Sequence, residues 1–160
     1  MKTIIFTISV NTAKITAIML DSFFKHQPNK SLTVFCTQRD MAELGPKVGP
    51  AWPINFVPID NDKELMAKFA TGHAGTTTLF AKVIAGHFGE YDAFIQIDGD
   101  VYFKQESISL IENKFDDGFD IVGTRRCFGN NPSGVPNLEK FPDTVSTFFF
   151  GMKINKIHKY

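Results

Sequence analysis

Apolar positions along this chain alternate between two rhythms. Lys2 to Val10 is a near-continuous run of Ile, Phe, Thr and Val, which predicts a buried strand. Asn11 or Thr12 then offers a helix cap, and Ile15, Ile18, Met19 and Phe23 recur at helical spacing. Pro28 and Asn29 close that unit. Leu32 to Thr37 reads as a second strand. Gly45 to Pro53, dense in proline and glycine, reads as a loop, and Ile54 to Val57 as a third strand. Asn61 with Glu64 three residues on makes a capping-box pattern for a helix ending near Gly72. A further helix is predicted from Thr76 to Phe88, with Leu79, Phe80, Val83 and Ile84 inward and Gly89 as terminator. Ala93 to Ile97 is a short strand, apolar except for Gln96. A short helix over Ser107 to Asn113, a strand over Asp120 to Thr124, a polar proline-bearing stretch from Arg125 to Asp143 and a strand over Ser146 to Ile154 complete the chain.

Strands alternating with helices predict one α/β domain over residues 1–160, its sheet mostly parallel with helices on both faces. In such sheets ligands sit beyond the carboxyl ends of the strands. At 160 residues and 43% hydrophobic content the chain is large enough for a packed core, and most of its 17 phenylalanines belong there. Seventeen basic residues balance 17 acidic ones, so no bulk attraction to nucleic acid or an anionic membrane is expected. The charge balance still leaves room for a local phosphate pocket. Cys36 and Cys127 form no CxxC pair and read as reduced, buried thiols. The first twenty residues are too interrupted by Thr7, Ser9, Asn11 and Lys14 for a signal peptide, and no apolar stretch is long enough to span a bilayer, so the expected compartment is the cytoplasm.

The most informative stretch is Tyr91-Asp92-Ala93-Phe94-Ile95-Gln96-Ile97-Asp98-Gly99-Asp100. Two carboxylates separated by one glycine at the mouth of an apolar strand are costly to hold ionised without a cation. Mn²⁺ or Mg²⁺ meets that need, because these hard cations bind through one or two carboxylates together with substrate phosphates. A cation there can neutralise a departing diphosphate. Gly99 is expected to let the backbone turn and a phosphate approach. An EF-hand loop starting at Asp98 is excluded, since Phe103 stands where glycine is needed and Ser109 where the bidentate glutamate is needed. A phosphatase of the haloacid-dehalogenase type is disfavoured by Tyr102, which stands where a threonine is expected.

The run Lys82 to Val101, KVIAGHFGEYDAFIQIDGDV, resembles the DxD region of GT-A-fold glycosyltransferases, in particular the glycogenin and lipopolysaccharide-galactosyltransferase branch. The first strand followed by Asn11, the segment DSFFKHQPNKSLTVFCT and the strand STFFFGMKIN are similar to other parts of that fold. The resemblance implies a single Rossmann-like GT-A domain that binds a nucleotide-diphosphate sugar, a uridine one by analogy. Asp100 would be the principal metal ligand, and Asp98 would contact the metal, the ribose or both. Lys82 would lie near the phosphates or donor sugar, Thr7, Ser9, Val10 and Asn11 would line the base and ribose pocket, and Gly99 would border the donor. In the family a histidine well beyond the FFFG strand completes the metal site with basic residues beside it. This sequence stops at Tyr160, and His158 lies too close to the last strand to be that histidine. The expectation is therefore a form lacking its C-terminal portion, which binds donor weakly and turns it over slowly.

Other residues carry weaker signals. Arg125 and Arg126 follow a strand at its carboxyl end and are placed for sugar, acceptor or phosphate, Arg125 with a candidate catalytic role. Asp143, Ser146 and Thr147 precede the last strand and are candidates for the donor-sugar side. His87 reads as structural, His73 as a loop residue within reach of ligand, Trp52 as a packing residue and Asp92 as a structural cap or partner. Two further functions compete with a transferase: a non-catalytic nucleotide-sugar-binding fragment, and a sugar nucleotidyltransferase. The latter is weakened because Asn11-Thr12-Ala13-Lys14 lacks the glycine-rich phosphate loop of that class. The acceptor and any homo-oligomerisation stay open.

Overall fold

In a computed structural model, residues 1–72, 74–87, 90–125 and 145–154 are described. Strand β1 (Thr3–Ser9) leads to helix α1 (Ala13–His26), β2 (Leu32–Cys36), α2 (Gln38–Leu44) and β3 (Ile54–Pro58). Helices α3 (Lys63–Ala70) and α4 (Ala74–His87) precede β4 (Ala93–Ile97). Helix α5 (Ile108–Asp116), β5 (Ile121–Arg125) and β6 (Val145–Lys153) follow. The strand order is β3-β2-β1-β4-β6-β5. Strands β3, β2, β1 and β4 are mutually parallel, and β6 runs antiparallel between β4 and β5. The mostly parallel α/β sheet expected from the alternation is present.

Two cores flank the sheet. On one face Ile5, Val34, Cys36, Ile95 and Ile97 pack under α1, α2 and α5 through Met19, Leu20, Phe23, Leu44, Ile111 and Phe115. On the other, Ile4, Phe6, Phe35 and Phe94 meet α3 and α4 through Leu65, Leu79 and Val83. Phenylalanine carries much of this packing, with Phe94 edge-on to Phe80 at 4.9 Å and to Phe150 at 5.7 Å. Trp52 stacks on Phe24 at 4.9 Å, which fits its reading as a packing residue. Among the described residues no helix is long and apolar enough to cross a membrane.

Several local expectations change. Ile15 and Ile18 are 51% and 61% exposed, because α1 buries Thr16, Leu20 and Phe24 with Met19 and Phe23 instead. Helix α2 was not anticipated. It begins where Thr37 accepts a hydrogen bond from the Asp40 backbone N–H, 3.1 Å away. The cap of α3 is Asp62 rather than Asn61, and it accepts from the Leu65 N–H at 2.9 Å.

Candidate functional site

The chain order of the strands reverses at the centre of the sheet. From β1 the chain moves outward to β2 and β3, then returns to place β4 on the other side of β1. The carboxyl ends of β1 and β4 therefore diverge at a switch point, where α/β sheets form a crevice. A cavity of about 890 Å³ lies there. Its β1 side is Ile8, Val10, Asn11, Thr12 and Ile15; its β4 side is Gln96, Asp98, Gly99 and Asp100; Phe69, Thr76, Thr77, Phe80 and Phe150 complete the wall. The acidic pair of the sequence is thus at the fold's expected binding edge. Asp98 is half-buried and accepts from the Gln96 amide at 3.2 Å, while Asp100 is exposed.

Gly99 sits in the turn expected of it, which the Val101 N–H closes by donating to the Asp98 carbonyl oxygen at 3.2 Å. Among the described residues the glycines with positive φ are Gly72 and Gly118, so this turn does not call on a left-handed conformation. At Gly99 the constraint is contact: a Cβ there would meet Thr16 Oγ1 at 2.9 Å and the Ile8 carbonyl oxygen at 3.5 Å. The acidic loop thus lies against the first turn of α1 with no room for a side chain. Across the cavity Asn11 holds a φ of 59°, a left-handed conformation that asparagine tolerates better than most residues.

Of the predicted donor-contacting run, alternation along β1 sends Ile8 and Val10 to the cavity and Thr7 and Ser9 to the opposite face. The side chains of Thr7 and Ser9 are fully buried, so neither lines the cavity. The Ser9 hydroxyl donates to Asp40 Oδ2 at 2.8 Å and lies 3.3 Å from the Thr12 hydroxyl. Asp40 Oδ2 also accepts from the Thr12 backbone N–H at 3.1 Å, and Thr16 donates to Ser9 at 3.2 Å. A buried carboxylate from α2 therefore ties down the loop that presents Val10 and Asn11. Sequence reasoning missed Asp40; the available signal was Thr37 three residues before it, a cap that starts the unrecognised helix.

Lys82 is also placed elsewhere. It pairs with Asp62 and lines a separate cavity of about 310 Å³ with Phe35, Leu65 and Val83. The ammonium beside Asp62 holds that carboxyl below the usual carboxylate range, and Asp62 in turn raises the Lys82 ammonium pKa. The wall of the larger cavity, as the described residues form it, contains two carboxylates and no basic side chain.

Arg125 ends β5, and its backbone pairs with Val145 at the start of β6, next to Ser146. Because β6 is antiparallel, both backbones reach the same edge of the sheet as Asp98; their side chains lie outside the described residues. So do the side chains of His87 and Thr147, and the whole of His73, Arg126, Cys127, Asp143 and His158. Asp92 accepts from the Lys2 backbone N–H at 2.7 Å, a structural partner as expected.

Among the described residues no cluster of three or more His, Cys, Asp or Glu could hold a metal ion. Asp98 and Asp100 fit a hard divalent cation as a partial donor set, of the kind that phosphate oxygens complete. Asp98 is restrained by Gln96, and the cavity beside the pair admits a ligand.

This switch-point sheet with its antiparallel β6 and an acidic loop after β4 is a GT-A-like fold. Solved structures that share it include the apo form of mouse xyloside xylosyltransferase 1, at 12% identity and a TM-score of 0.61 over 99% of this chain and 69% of that one. The galactosyltransferase LgtC, solved with donor and acceptor sugar analogues, matches at 14% identity and a TM-score of 0.60 over 98% of this chain and 59% of its own. A cytidylyltransferase from Leptospira borgpetersenii matches at 10% identity and a TM-score of 0.55, over 99% and 63% respectively. No protein-family model and no curated protein matches the sequence.

Proposed function

We propose that this chain is the donor-binding domain of a metal-dependent glycosyltransferase, which moves a sugar from a nucleotide diphosphate, a uridine one by analogy, to an acceptor. The observation that carries the proposal is the placement of Asp98 and Asp100 at the switch-point cavity, in a wall whose described residues include no basic side chain. A diphosphate in such a cavity meets net negative charge and needs a cation beside it. Mn²⁺ or Mg²⁺ would supply Lewis-acid neutralisation of the leaving diphosphate. Asp100 and Asp98 would hold it, Val10 and Asn11 would border the nucleoside, and Arg125 and Ser146 reach the same sheet edge through their backbones. The xylosyl- and galactosyltransferase neighbours support this reading through their shared fold.

Calorimetry with uridine diphosphate, with Mn²⁺ and with chelator, tests it. Binding should require the cation, and Asp100→Asn should abolish that dependence while leaving the fold intact. Equal affinity in both conditions refutes the metal role. The cytidylyltransferase neighbour favours a second reading, nucleotidyl transfer to a sugar phosphate. The loop after β1 lacks glycine, which counts against it. Incubation with a nucleoside triphosphate and a sugar phosphate separates the two, because only nucleotidyl transfer releases pyrophosphate.

A further inference from the structure

Gln96 is the one polar residue in the strand AFIQI, and it is 5% exposed. Its neighbours in register are Phe6 on β1 and Phe150 on β6, both members of the aromatic core. An amide buried there costs stability unless it is hydrogen-bonded, and an aliphatic side chain would fill the position without that cost. The amide Nε2 donates to Asp98 Oδ1 at 3.2 Å. Gln96 and Asp98 are two residues apart at the end of a strand, and both line the switch-point cavity.

We infer that Gln96 is a positioning residue for the cation-binding carboxylate of Asp98, an inference that rests on the metal reading above. The residue type suits this role. A carboxylate only accepts, so the amide must present its N–H to it. A lysine there would pair with Asp98 and oppose a cation, a glutamate would repel it, and a leucine would remove this hydrogen bond to its Oδ1. A neutral donor restrains the carboxylate and leaves its charge to the metal. Partners that orient a metal ligand in this way commonly change affinity by about 10- to 100-fold when removed.

The test uses Gln96→Leu, with Gln96→Met as a second variant because an unbranched thioether adapts to the same space. Free Mn²⁺ is followed by electron paramagnetic resonance, with and without uridine diphosphate, and thermal unfolding is recorded for each protein. Both variants should keep or raise the melting temperature. They should weaken Mn²⁺ binding in the presence of the nucleotide about tenfold or more, while the far-ultraviolet circular dichroism of the folded protein stays unchanged. A loss of Mn²⁺ binding that comes with a parallel fall in melting temperature in both variants would mean that Gln96 is merely structural, and would overturn the inference. Mn²⁺ binding within about twofold of the native protein in a folded variant, well short of that range, would overturn the inference. Asp100→Asn in the same assay separates the two failures: if it too binds Mn²⁺ and nucleotide normally, the metal reading itself is wrong.

Discussion

Replacing Asp40 should destabilise the domain and loosen the loop that borders the cavity. The carboxylate is 2% exposed and accepts two hydrogen bonds on one oxygen, from the Ser9 hydroxyl and the Thr12 backbone N–H. Hydrogen bonds to a charged group contribute about 1.5–3 kcal/mol each. Asp40 also lies in the first turn of α2, where a negative charge adds about 0.3–1 kcal/mol. Asp40→Ala removes the shared acceptor and leaves the part-buried Thr12 N–H and the buried Ser9 hydroxyl without it. A loss of about 4 kcal/mol follows, since some solvent will enter. Asp40→Asn keeps one acceptor oxygen and should cost about 1–2 kcal/mol. For a domain of this size each kcal/mol moves the melting temperature by about 2–4 °C, so the alanine variant should melt about 8–16 °C lower. Urea unfolding at constant slope gives the free energies directly. Where the alanine variant remains folded, nucleotide binding should weaken as well, because Val10 and Asn11 are carried by the tethered loop. A cost below about 1 kcal/mol for Asp40→Ala, less than one such hydrogen bond, would refute this account of the network.

Other predictions concern packing, charge and pH. Gly99→Ala should place a methyl group against Thr16 Oγ1 and cost about 1–3 kcal/mol by overpacking; Thr16→Ala in the same chain should recover part of that loss in urea unfolding. Lys82→Ala should leave Mn²⁺-dependent binding of uridine diphosphate unchanged in calorimetry, because Lys82 pairs with Asp62 at a different cavity. Burial pushes the Cys36 thiol up from its ordinary 9.0 to about 11, with Asp40 and Asp60 adding to the rise. The fold therefore favours the protonated thiol. Its contribution to stability is complete below about pH 9 and is lost as pH rises through about 11, which a Cys36→Ala comparison of unfolding across that range would detect. The same burial should keep Cys36 unreactive toward thiol reagents until the chain unfolds.

Local chemistry written into the chain was enough for strand β4 and its acidic exit. The bounds Ala93–Ile97 are the same in sequence and structure, because a fully buried strand needs only a short apolar run between polar flanks. The alternation of strands and helices likewise implied a mostly parallel sheet with its binding edge at the carboxyl ends. What the sequence left undecided depends on which partner each face meets. Ile15 and Met19 share a helical period, and only the placement of α1 on the sheet buries one and exposes the other. Thr7, Ser9, Val10 and Asn11 are consecutive or nearly so, yet β1 has core on both faces and sends the first two away from the cavity. Asp40 reaches Ser9 across 31 positions, and Gly99 meets Thr16 across a span more than twice as long. Contacts of this range leave no periodic mark, since they are set by the packing of α1 and α2 over the sheet. The tertiary structure therefore decided which polar residues support the cavity and which face into it.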